Sequence, residues 1–475
     1  MNKKQIILLF LIILINFSLR LFKIKNPIAD WHSWRQADTS AVSRNFVQEG
    51  FDILHPRFDD LSNIPSGKDN PQGYRFVEFP IYNIVRGFLA KNFDFLNLEI
   101  WGRLTSNIFS CFSLVFLFFI VKKLIDFPTA LLTSFFFAIL PFNIYYSRVI
   151  LPEPTMIMTM LGAIYFFVRF IKEKNKLCLP AFLILGSFSV LLKPFTLFII
   201  APSIFYLTWQ EKGLIKSLIF SLIYLLILMT PFLWWRWWMS HFPEGIPANM
   251  WLLNAGGMRL RPAWFRWLFA ERLSKLILGY WGIFFLVLGL IAKTEKKEGK
   301  FFDFWLLGSL AYLIVVARGN IQHDYYQVLL VPTVCVFLAK GAKLMLSPIK
   351  EFGKFSAKLL FIICFIFMWA FSWYQVRDFF NINNGKMLIA GKKADEILPK
   401  DAKVIAPLGG DTAFLYQTNR SGWPQGIEID KLVTKGATHY VNFNFGPETE
   451  YIEQSFCVLE KTDDYIIAKL VDCQK

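Results

Sequence analysis

The sequence predicts a polytopic, all-α membrane protein with a small α/β domain at its C-terminal end. Hydrophobic residues make up 55% of the 475 residues and aromatic residues 18%, which exceeds the usual content of a soluble domain. Most apolar residues are grouped into about eleven segments with the composition of membrane-spanning helices. The segment 381–475 differs, because short apolar runs alternate there with turn residues.

The first apolar segment, 5–22, predicts a retained membrane-spanning helix. Lys3 and Lys4 precede it, and basic residues favour the cytoplasmic side of a membrane. No small-residue cleavage site of the kind that ends a signal peptide follows, and more apolar segments come later. We therefore expect the N-terminus in the cytoplasm and the segment 23–99 on the external side.

Ten further apolar segments predict the remaining spans. They cover residues 104–120, 129–145, 155–170, 177–191, 194–209, 217–235, 276–292, 304–317, 325–338 and 359–373. Lysine-rich loops such as 122–123, 293–300 and 340–358 fall on the side that this order assigns to the cytoplasm. Membrane orientation thus explains the net charge of +16, and no nucleic-acid partner is predicted. The predicted location is the bacterial inner membrane, crossed many times and in contact with its lipids.

Two domains are predicted. Residues 1–380 form the transmembrane domain with the external loop 23–99, and residues 381–475 form a small periplasmic α/β domain. In the latter, DAKVIAPL, THYVNF and YIIAKL predict strands and GKKADEILP predicts a helix. Cys457 and Cys473 both lie there, either as a disulfide of an oxidising compartment or as two free thiols.

Charged residues are crowded just beyond the first span, in the segment ADWHSWRQADTSAVSRNF. This group comprises Asp30, His32, Arg35, Asp38 and Arg44. Helical periodicity places Arg35 and Asp38 three residues apart on one face, within pairing distance. A solvated, salt-bridged helix is the alternative to a functional cluster.

Three further external junctions carry polar residues. Glu78 precedes an amphipathic segment that suits the membrane interface. Glu153 stands between two prolines at the start of a span, either as a charge that complements the helix dipole or as a functional group. Lys193 interrupts two apolar runs, and it either reaches the headgroups or binds a phosphate.

The last external junction is the stretch RGNIQHDYYQ. It brings Arg318, His323, Asp324 and Tyr326 to the same side as the other clusters. His323 taken alone is a structural hydrogen-bonding residue or a base. A loop rich in Trp and Arg lies nearby in sequence, and it is either an interfacial aromatic belt or a docking surface for an isoprenoid lipid.

Taken in order, these motifs resemble the GT-C membrane glycosyltransferases. The similarity is greatest to glycosyltransferase family 39, which includes protein O-mannosyltransferases and the lipid A aminoarabinose transferase. It rests on the acidic helix after the first span, EFP at 78–80, the SR and EP of SRVILPEP, LLKP, and HDYY, within residues 1–340. The resemblance implies the GT-C fold, with about 11 transmembrane helices in all.

The resemblance also implies roles for these residues. An acid soon after the first span acts in catalysis in this family, and either Asp30 or Asp38 fills that place. The family commonly shows an Asp-Glu pair where this chain has DWHSWRQAD, and one proline of its E-x-P-P element is missing after Glu78. The implied catalytic residues are Asp30, Asp38, Glu78 and Glu153. The implied substrate-binding residues are His32, Arg35, Arg44, Arg148, Lys193, Arg318, His323, Asp324 and Tyr326.

The implied reaction is the inverting transfer of a sugar from a polyprenyl-phosphate donor to a hydroxyl acceptor in the cell envelope. Cations would stabilise the departing phosphate, and a carboxylate would take the proton of the acceptor. No cofactor is obligatory in this scheme, although Mg²⁺ or Mn²⁺ is an alternative, since other GT-C enzymes require a metal. A flippase or transporter of a lipid-linked sugar, and an O-antigen polymerase or ligase, are the alternative functions.

Overall fold

The computed structural model describes residues 1–294, 296–347 and 354–474, and helices dominate it. The α-helices in chain order are α1 (Lys3–Leu19), α2 (Ser33–Glu49), α3 (Ile81–Asn92), α4 (Leu98–Leu124), α5 (Phe127–Ile139), α6 (Pro141–Tyr146), α7 (Glu153–Lys172), α8 (Cys178–Leu192), α9 (Leu197–Lys212), α10 (Leu214–Met239), α11 (Trp251–Asn254), α12 (Pro262–Phe265), α13 (Gly282–Ile291), α14 (Phe301–Val315), α15 (Ala317–Gln322), α16 (Val331–Leu346), α17 (Lys354–Val376), α18 (Gly385–Ile397), α19 (Ala413–Gln417), α20 (Ile429–Thr434) and α21 (Pro447–Ser455). The strands are β1 (Val404–Ile405), β2 (Gly422–Trp423), β3 (His439–Asn442), β4 (Phe456–Lys461) and β5 (Ile466–Gln474). A π-helix covers Arg266–Ile277.

The chain divides into two compact units. The helical unit consists of Met1–Ile24, Arg103–Arg236 and Asn249–Asp378. The α/β unit consists of Lys25–Gly102, Trp237–Ala248 and Phe379–Lys475. The predicted domain boundary near residue 380 coincides with the last change of unit. The external loop, however, belongs to the same unit as the C-terminal segment, whereas the sequence analysis grouped it with the transmembrane part.

Helices occupy all eleven of the segments predicted to span the membrane. Among the described residues, five helices are long and apolar enough to cross it: Leu98–Leu124, Glu153–Lys172, Leu214–Met239, Asp324–Leu346 and Phe355–Ile397. A sixth candidate is the pair Pro262–Ile277 and Gly282–Ile291, which is bent by 113°. The helical membrane fold is therefore confirmed, while the number of eleven spans remains a prediction.

Burial inside the protein differs sharply between these helices. Only 17% of the most apolar stretch of Leu214–Met239 is buried inside the protein, against 89% of the corresponding stretch of Asp324–Leu346. The exposed face of Leu214–Met239 consists of Leu, Ile and Trp side chains. Such a surface is stable only in contact with an apolar solvent. Leu214–Met239 is thus suited to contact lipid, whereas Asp324–Leu346 belongs to the protein core.

Buried arginines satisfy backbone groups where helices break inside the helical unit. The α5 helix ends just before Pro141, since proline cannot continue the hydrogen-bonding pattern. Fully buried Arg20 donates from Nη1 to Ala138 O (3.0 Å) and from Nη2 to Phe137 O (3.4 Å). Phe137 O also accepts from Asn143 Nδ2 at 2.6 Å, so polar side chains satisfy these carbonyls at the end of α5.

The α/β unit is organised around a sheet with the strand order β2-β1-β3-β5-β4 in the described residues. Strand β1 runs parallel to both β2 and β3, while β5 is antiparallel to β3 and β4. The predicted strands within DAKVIAPL, THYVNF and YIIAKL are confirmed as β1, β3 and β5. Leu61 of the external loop packs into the core of this unit together with Trp423 and Tyr440.

Backbone hydrogen bonds explain why the loop joins the C-terminal segment. Leu61 N–H donates to Gly422 O, and Gly422 N–H donates to Asp59 O, each at 2.8 Å. The loop therefore adds a short parallel bridge at the edge formed by β2. Covering a sheet edge in this way satisfies groups that would otherwise be open to pairing with other chains.

Cysteines differ between the two units. Cys111, Cys178, Cys335 and Cys364 of the helical unit are free thiols. Cys457 takes part in a disulfide. The side chain of Cys473, its predicted partner, lies outside the described part of the chain.

Candidate functional site

The turn that leads into α2 carries two of the predicted site residues. Asp30 is fully buried, and its Oδ1 accepts a hydrogen bond from Gln36 Nε2 at 2.6 Å. His32 precedes α2 with φ 56° and ψ 36°, a left-handed conformation that is uncommon for a residue with a side chain. The ring of Trp31 stacks on that of Phe379 at 5.0 Å, and the backbone N–H of Trp31 donates to Phe379 O. Packing therefore holds the turn in a strained conformation, as is common at functional sites.

A small polar cavity of the α/β unit brings together three more predicted residues. Its walls include Arg35, Asp38 and Glu78, together with Arg75. Arg35 Nη2 lies 2.7 Å from both oxygens of Glu78, and Arg75 Nη2 lies 2.5 Å from Asp38 Oδ2. Arg35 and Asp38 share this cavity, as their spacing on one helical face suggests, but each forms its ion pair with a residue outside α2. Two largely buried ion pairs therefore line one cavity.

Asp38 has a second partner in the C-terminal segment. Thr412 Oγ1 donates to Asp38 Oδ1 at 2.7 Å, so both carboxylate oxygens of Asp38 are engaged. Arg44, near the other end of α2, pairs with Asp59 at 2.5 Å and donates to Tyr416 O at 3.1 Å. Its guanidinium lies 4.7 Å from the centre of the Tyr416 ring. These contacts of Arg44 hold α2 against Asp59 and Tyr416 of the same unit.

Burial shifts the protonation of two acids close to this cluster. Loss of solvent raises the pKa of Asp60 to about 6, although the Ser62 N–H donates to its carboxylate. Loss of solvent likewise raises the pKa of Asp411 to about 6, and the charge of Asp38 adds to the effect. Burial lowers the pKa of Arg75, while the neighbouring Asp38 opposes that shift.

A second group of predicted residues lies together in the helical unit. Glu153 begins α7, is only 1% exposed, and forms an ion pair with Lys193 through Oε1. The ammonium of Lys193 lies 4.9 Å from the ring centre of Tyr326 and 5.2 Å from that of Tyr325. Glu153 Oε2 is buried and has no hydrogen-bond partner among the described residues. The cluster therefore retains an unsatisfied acceptor beside a cation and two aromatic rings.

Asp324 is held by two residues that the sequence analysis did not identify. Tyr146 donates from its hydroxyl to Asp324 Oδ1 at 2.5 Å, and Arg272 Nη1 lies 3.6 Å from Asp324 Oδ2. Arg272 belongs to the π-helix, a rare element that is frequent at functional sites. The neighbouring His323 ring stacks on Tyr325 at 5.2 Å.

The remaining predicted residues lie in contrasting surroundings. Arg148 is fully buried, and its Nη2 donates to Lys23 O at 3.2 Å, at the end of the turn that follows α1. Arg318, on α15, is half-buried and makes no ion pair with any residue in the described part of the chain. Its charge is therefore open to a ligand.

Sequence reasoning missed Arg75, Thr412, Arg272 and Tyr146. Arg75 stands three residues before Glu78, and that proximity was the one signal that could have identified it. Thr412 lies 374 positions after Asp38, and no spacing pattern connects them. All four missed residues are contact partners of predicted site residues. The tertiary fold determines which of these partners meet.

The carboxylates were tested as metal ligands. No group of three or more His, Cys, Asp and Glu side chains suitable for a metal ion occurs among the described residues. Asp38, Glu78 and Glu153 each pair with a cationic side chain instead. This donor set does not fit a divalent ion.

Comparisons with known proteins agree with the fold. Residues 89–237 match the family model described as dolichyl-phosphate-mannose-protein mannosyltransferase. The chain is similar to the crystal structure of ArnT from Cupriavidus metallidurans bound to undecaprenyl phosphate, with a TM-score of 0.67 and 10% identity over 100% of both chains. No curated protein sequence matches it.

An archaeal enzyme shares the same architecture. The Archaeoglobus fulgidus oligosaccharyltransferase in its apo form gives a TM-score of 0.57 with 10% identity, over 92% of this chain and 69% of the other. The oligosaccharyltransferase AglB from that organism, solved with an inhibitory peptide and a dolichol-phosphate, gives 0.56 with 10% identity, over 99% and 74%. The chain therefore has the fold of the GT-C membrane glycosyltransferases, as its motif order predicts.

Proposed function

We propose that the protein is an inverting glycosyltransferase that moves a sugar from a polyprenyl-phosphate donor to a hydroxyl acceptor at the external face of the bacterial inner membrane. The observation that carries the proposal is the likeness over the full length of both chains to a structure that holds undecaprenyl phosphate. A second enzyme with this architecture was solved with a dolichol-phosphate, another isoprenoid phosphate. The acceptor is a lipid, glycan or protein hydroxyl of the cell envelope.

The choice of base follows from the contacts of Asp38. A carboxylate that already accepts from Arg75 and Thr412 has little capacity left to take a proton. We therefore assign Asp30 as the general base and Asp38 as a positioning residue. In the proposed step, the acceptor hydroxyl gives its proton to Asp30 while its oxygen bonds to the anomeric carbon. The bond between that carbon and the phosphate oxygen breaks, and the configuration inverts.

Positive charge stabilises a departing phosphate, and Arg318 and Lys193 are the candidates for that role. Arg318 has no ion pair among the described residues, whereas Glu153 already neutralises Lys193. Arg318 is therefore the stronger candidate for the phosphate, and its planar guanidinium suits bidentate contacts. Lys193 is the second candidate, because its charge is already paired with Glu153. No step requires a metal ion.

Glu153 is suited to a different part of the donor. Its unpartnered buried oxygen accepts hydrogen bonds, so a phosphate would be repelled and a sugar hydroxyl would be bound. The tyrosine rings around Lys193 offer flat apolar surfaces beside that oxygen. We propose that this cluster holds the sugar of the donor.

Purified protein in detergent tests the function directly. We expect transfer from a polyprenyl-phosphate sugar and none from UDP- or GDP-sugars, with the Asp30→Asn variant as the inactive control. Turnover with nucleotide sugars alone contradicts the proposed donor. Movement of the lipid-linked sugar across vesicles without any transfer supports the flippase alternative instead.

A further inference from the structure

Thr412 lies at a special position of the small sheet. Strand β1 has β2 on one side and β3 on the other, and all three run parallel. In open α/β sheets, ligands bind outside the carboxyl ends of the strands where the chain changes direction in this way. After β1 the chain turns through Gly409 and Gly410, with φ of 60° and 90°, and reaches Thr412 at the start of α19.

A segment of the same chain lies at this position. Thr412 Oγ1 donates to Asp38 Oδ1 at 2.7 Å and approaches Trp34 O at 3.3 Å. Gln417, at the end of α19, donates from Nε2 to Ile28 O at 2.9 Å. Residues from both ends of α19 thus bind the segment that contains Asp30 and His32.

From this arrangement we infer that Thr412 is a positioning residue of the proposed glycosyl transfer, which it serves by fixing α2 through Asp38. The inference rests on the proposed function. Thr412 is 8% exposed and Asp38 is 4% exposed, and a hydrogen bond to an ionised acceptor is among the stronger kinds. Arg75 contacts the other oxygen of Asp38, so without Thr412 the aspartate is held from one side only.

The position of α2 matters because Asp30 and His32 immediately precede its first turn. His32 is held in a left-handed conformation that the surrounding contacts must maintain. A displacement of about 1 Å in a catalytic group can lower a rate by roughly a hundredfold. Loss of one of several contacts to α2 should have a smaller effect on turnover.

Three variants of the full-length protein test the inference. Thr412→Val keeps the shape of the side chain and removes the donor, whereas Thr412→Ser keeps the donor. Thr418→Val is the matched control, because Thr418 is also buried and its hydroxyl donates to Leu415 O, within the C-terminal segment. If Thr412→Val does not fold, Thr412→Ala serves in the same comparison.

We expect Thr412→Val to lower kcat about tenfold while KM changes less than about twofold, because donor and acceptor contacts remain. Thr412→Ser should recover most of the rate, and Thr418→Val should keep the kcat of the wild type after correction for the folded fraction. Equal losses of kcat in Thr412→Val and Thr418→Val would show a merely structural role and overturn the inference.

Backbone hydrogen exchange separates this inference from the proposed function. Without any substrate, exchange in the first turns of α2 should be faster in Thr412→Val than in the wild type and unchanged in Thr418→Val. Unchanged exchange in Thr412→Val overturns the inference whatever the activity. If exchange behaves as expected but the wild type transfers no sugar, the proposed function fails, and the role of Thr412 in catalysis fails with it.

Discussion

The two units differ in how completely some of their charged residues are paired. In the α/β unit, Arg35 binds both oxygens of Glu78, and both oxygens of Asp38 are engaged. In the helical unit, Glu153 keeps one buried oxygen without a partner among the described residues, and Arg318 makes no ion pair there. The first group is thus fully paired within its unit, whereas the second keeps an acceptor and a cation without such partners in the described part of the chain. Burial alone therefore does not distinguish a binding residue from a structural one.

Asp30→Asn should have the largest effect, because it would show that the α/β unit also contains a catalytic acid. Loss of a general base typically lowers a rate by roughly 10² to 10⁴-fold. We expect transfer to fall by at least about a hundredfold while the thermal midpoint changes little, since Asn still accepts from Gln36. Steady-state rates and thermal unfolding of the same preparation measure both quantities.

Asp38→Asn is the comparison for this variant. The amide oxygen introduced at position 38 can still accept from Thr412. We therefore expect a partial loss of the transfer rate together with a loss of folding stability. Transfer by Asp30→Asn at the rate of the wild type would exclude Asp30 as the base.

Arg35→Ala should act mainly on stability. Removal of one partner of a buried ion pair leaves the other charge uncompensated and typically costs about 3–5 kcal/mol. Arg35→Ala would leave the Glu78 carboxylate buried without this cation, so the thermal midpoint of unfolding should fall by several degrees. Double replacement by Arg35→Met and Glu78→Leu should recover much of the loss. A fully stable Arg35→Ala variant would contradict the structural role of this pair.

Arg318→Ala should give the opposite pattern to Arg35→Ala. No ion pair involving a described residue is broken, so stability should change by less than about 0.5 kcal/mol. Loss of a charge-assisted contact to the donor phosphate should weaken binding by about 1.5–3 kcal/mol, which is roughly ten- to a hundredfold. Titration with a polyprenyl phosphate measures this effect. Unchanged affinity would remove Arg318 from the phosphate site.

The pH dependence of stability should be the smallest effect. Asp60 and Asp411 have a folded pKa of about 6, above the ordinary value of an aspartate. Folding therefore favours their protonated forms, and the resulting stability is present at low pH and lost as the pH rises through about 6. Between pH 7 and pH 5 each group should add about 1 kcal/mol.

Thermal unfolding at these two pH values tests the sign. Asp60→Asn should remove about half of the pH-dependent change, and replacement of the exposed Asp463 by Asn should leave it intact. An Asp60→Asn variant whose stability changes between these pH values as much as that of the wild type would contradict the raised pKa of Asp60.

The sequence predicted the helical elements well and their side-chain partners poorly. Apolar segments of span length specify helices locally, and each predicted segment contains one. The structure also places Arg35, Asp38 and Glu78, three residues that the motifs singled out, around one cavity. The partner of Asp38, in contrast, depends on packing, since Arg75 is 37 residues away and Thr412 is 374. The helical period of a sequence shows which side chains share one face of a helix. It does not show which distant segment of the chain packs against that face.

The division of the chain was equally hard to predict. Leu61 lies in a polar, turn-rich stretch where Phe58 and Ile64 are the other large apolar residues, too few to mark it as part of a core. Its neighbours join the sheet through backbone groups, which every residue carries. The same limitation applies to Arg318, because an unpaired charge is recognised only when the surrounding partners are known.

The backbone bridge between Leu61 and Gly422 has a consequence for biosynthesis. The two residues are about 360 positions apart, and a ribosome adding 5–20 residues per second needs roughly 20–70 s to make that interval. During that time the external loop cannot complete its fold, because Gly422, Trp423 and Tyr440 do not yet exist. Nascent chains that stop before the C-terminal segment would therefore carry the acidic helix in an unassembled state. Under the proposed function, activity therefore requires that synthesis has passed Tyr440.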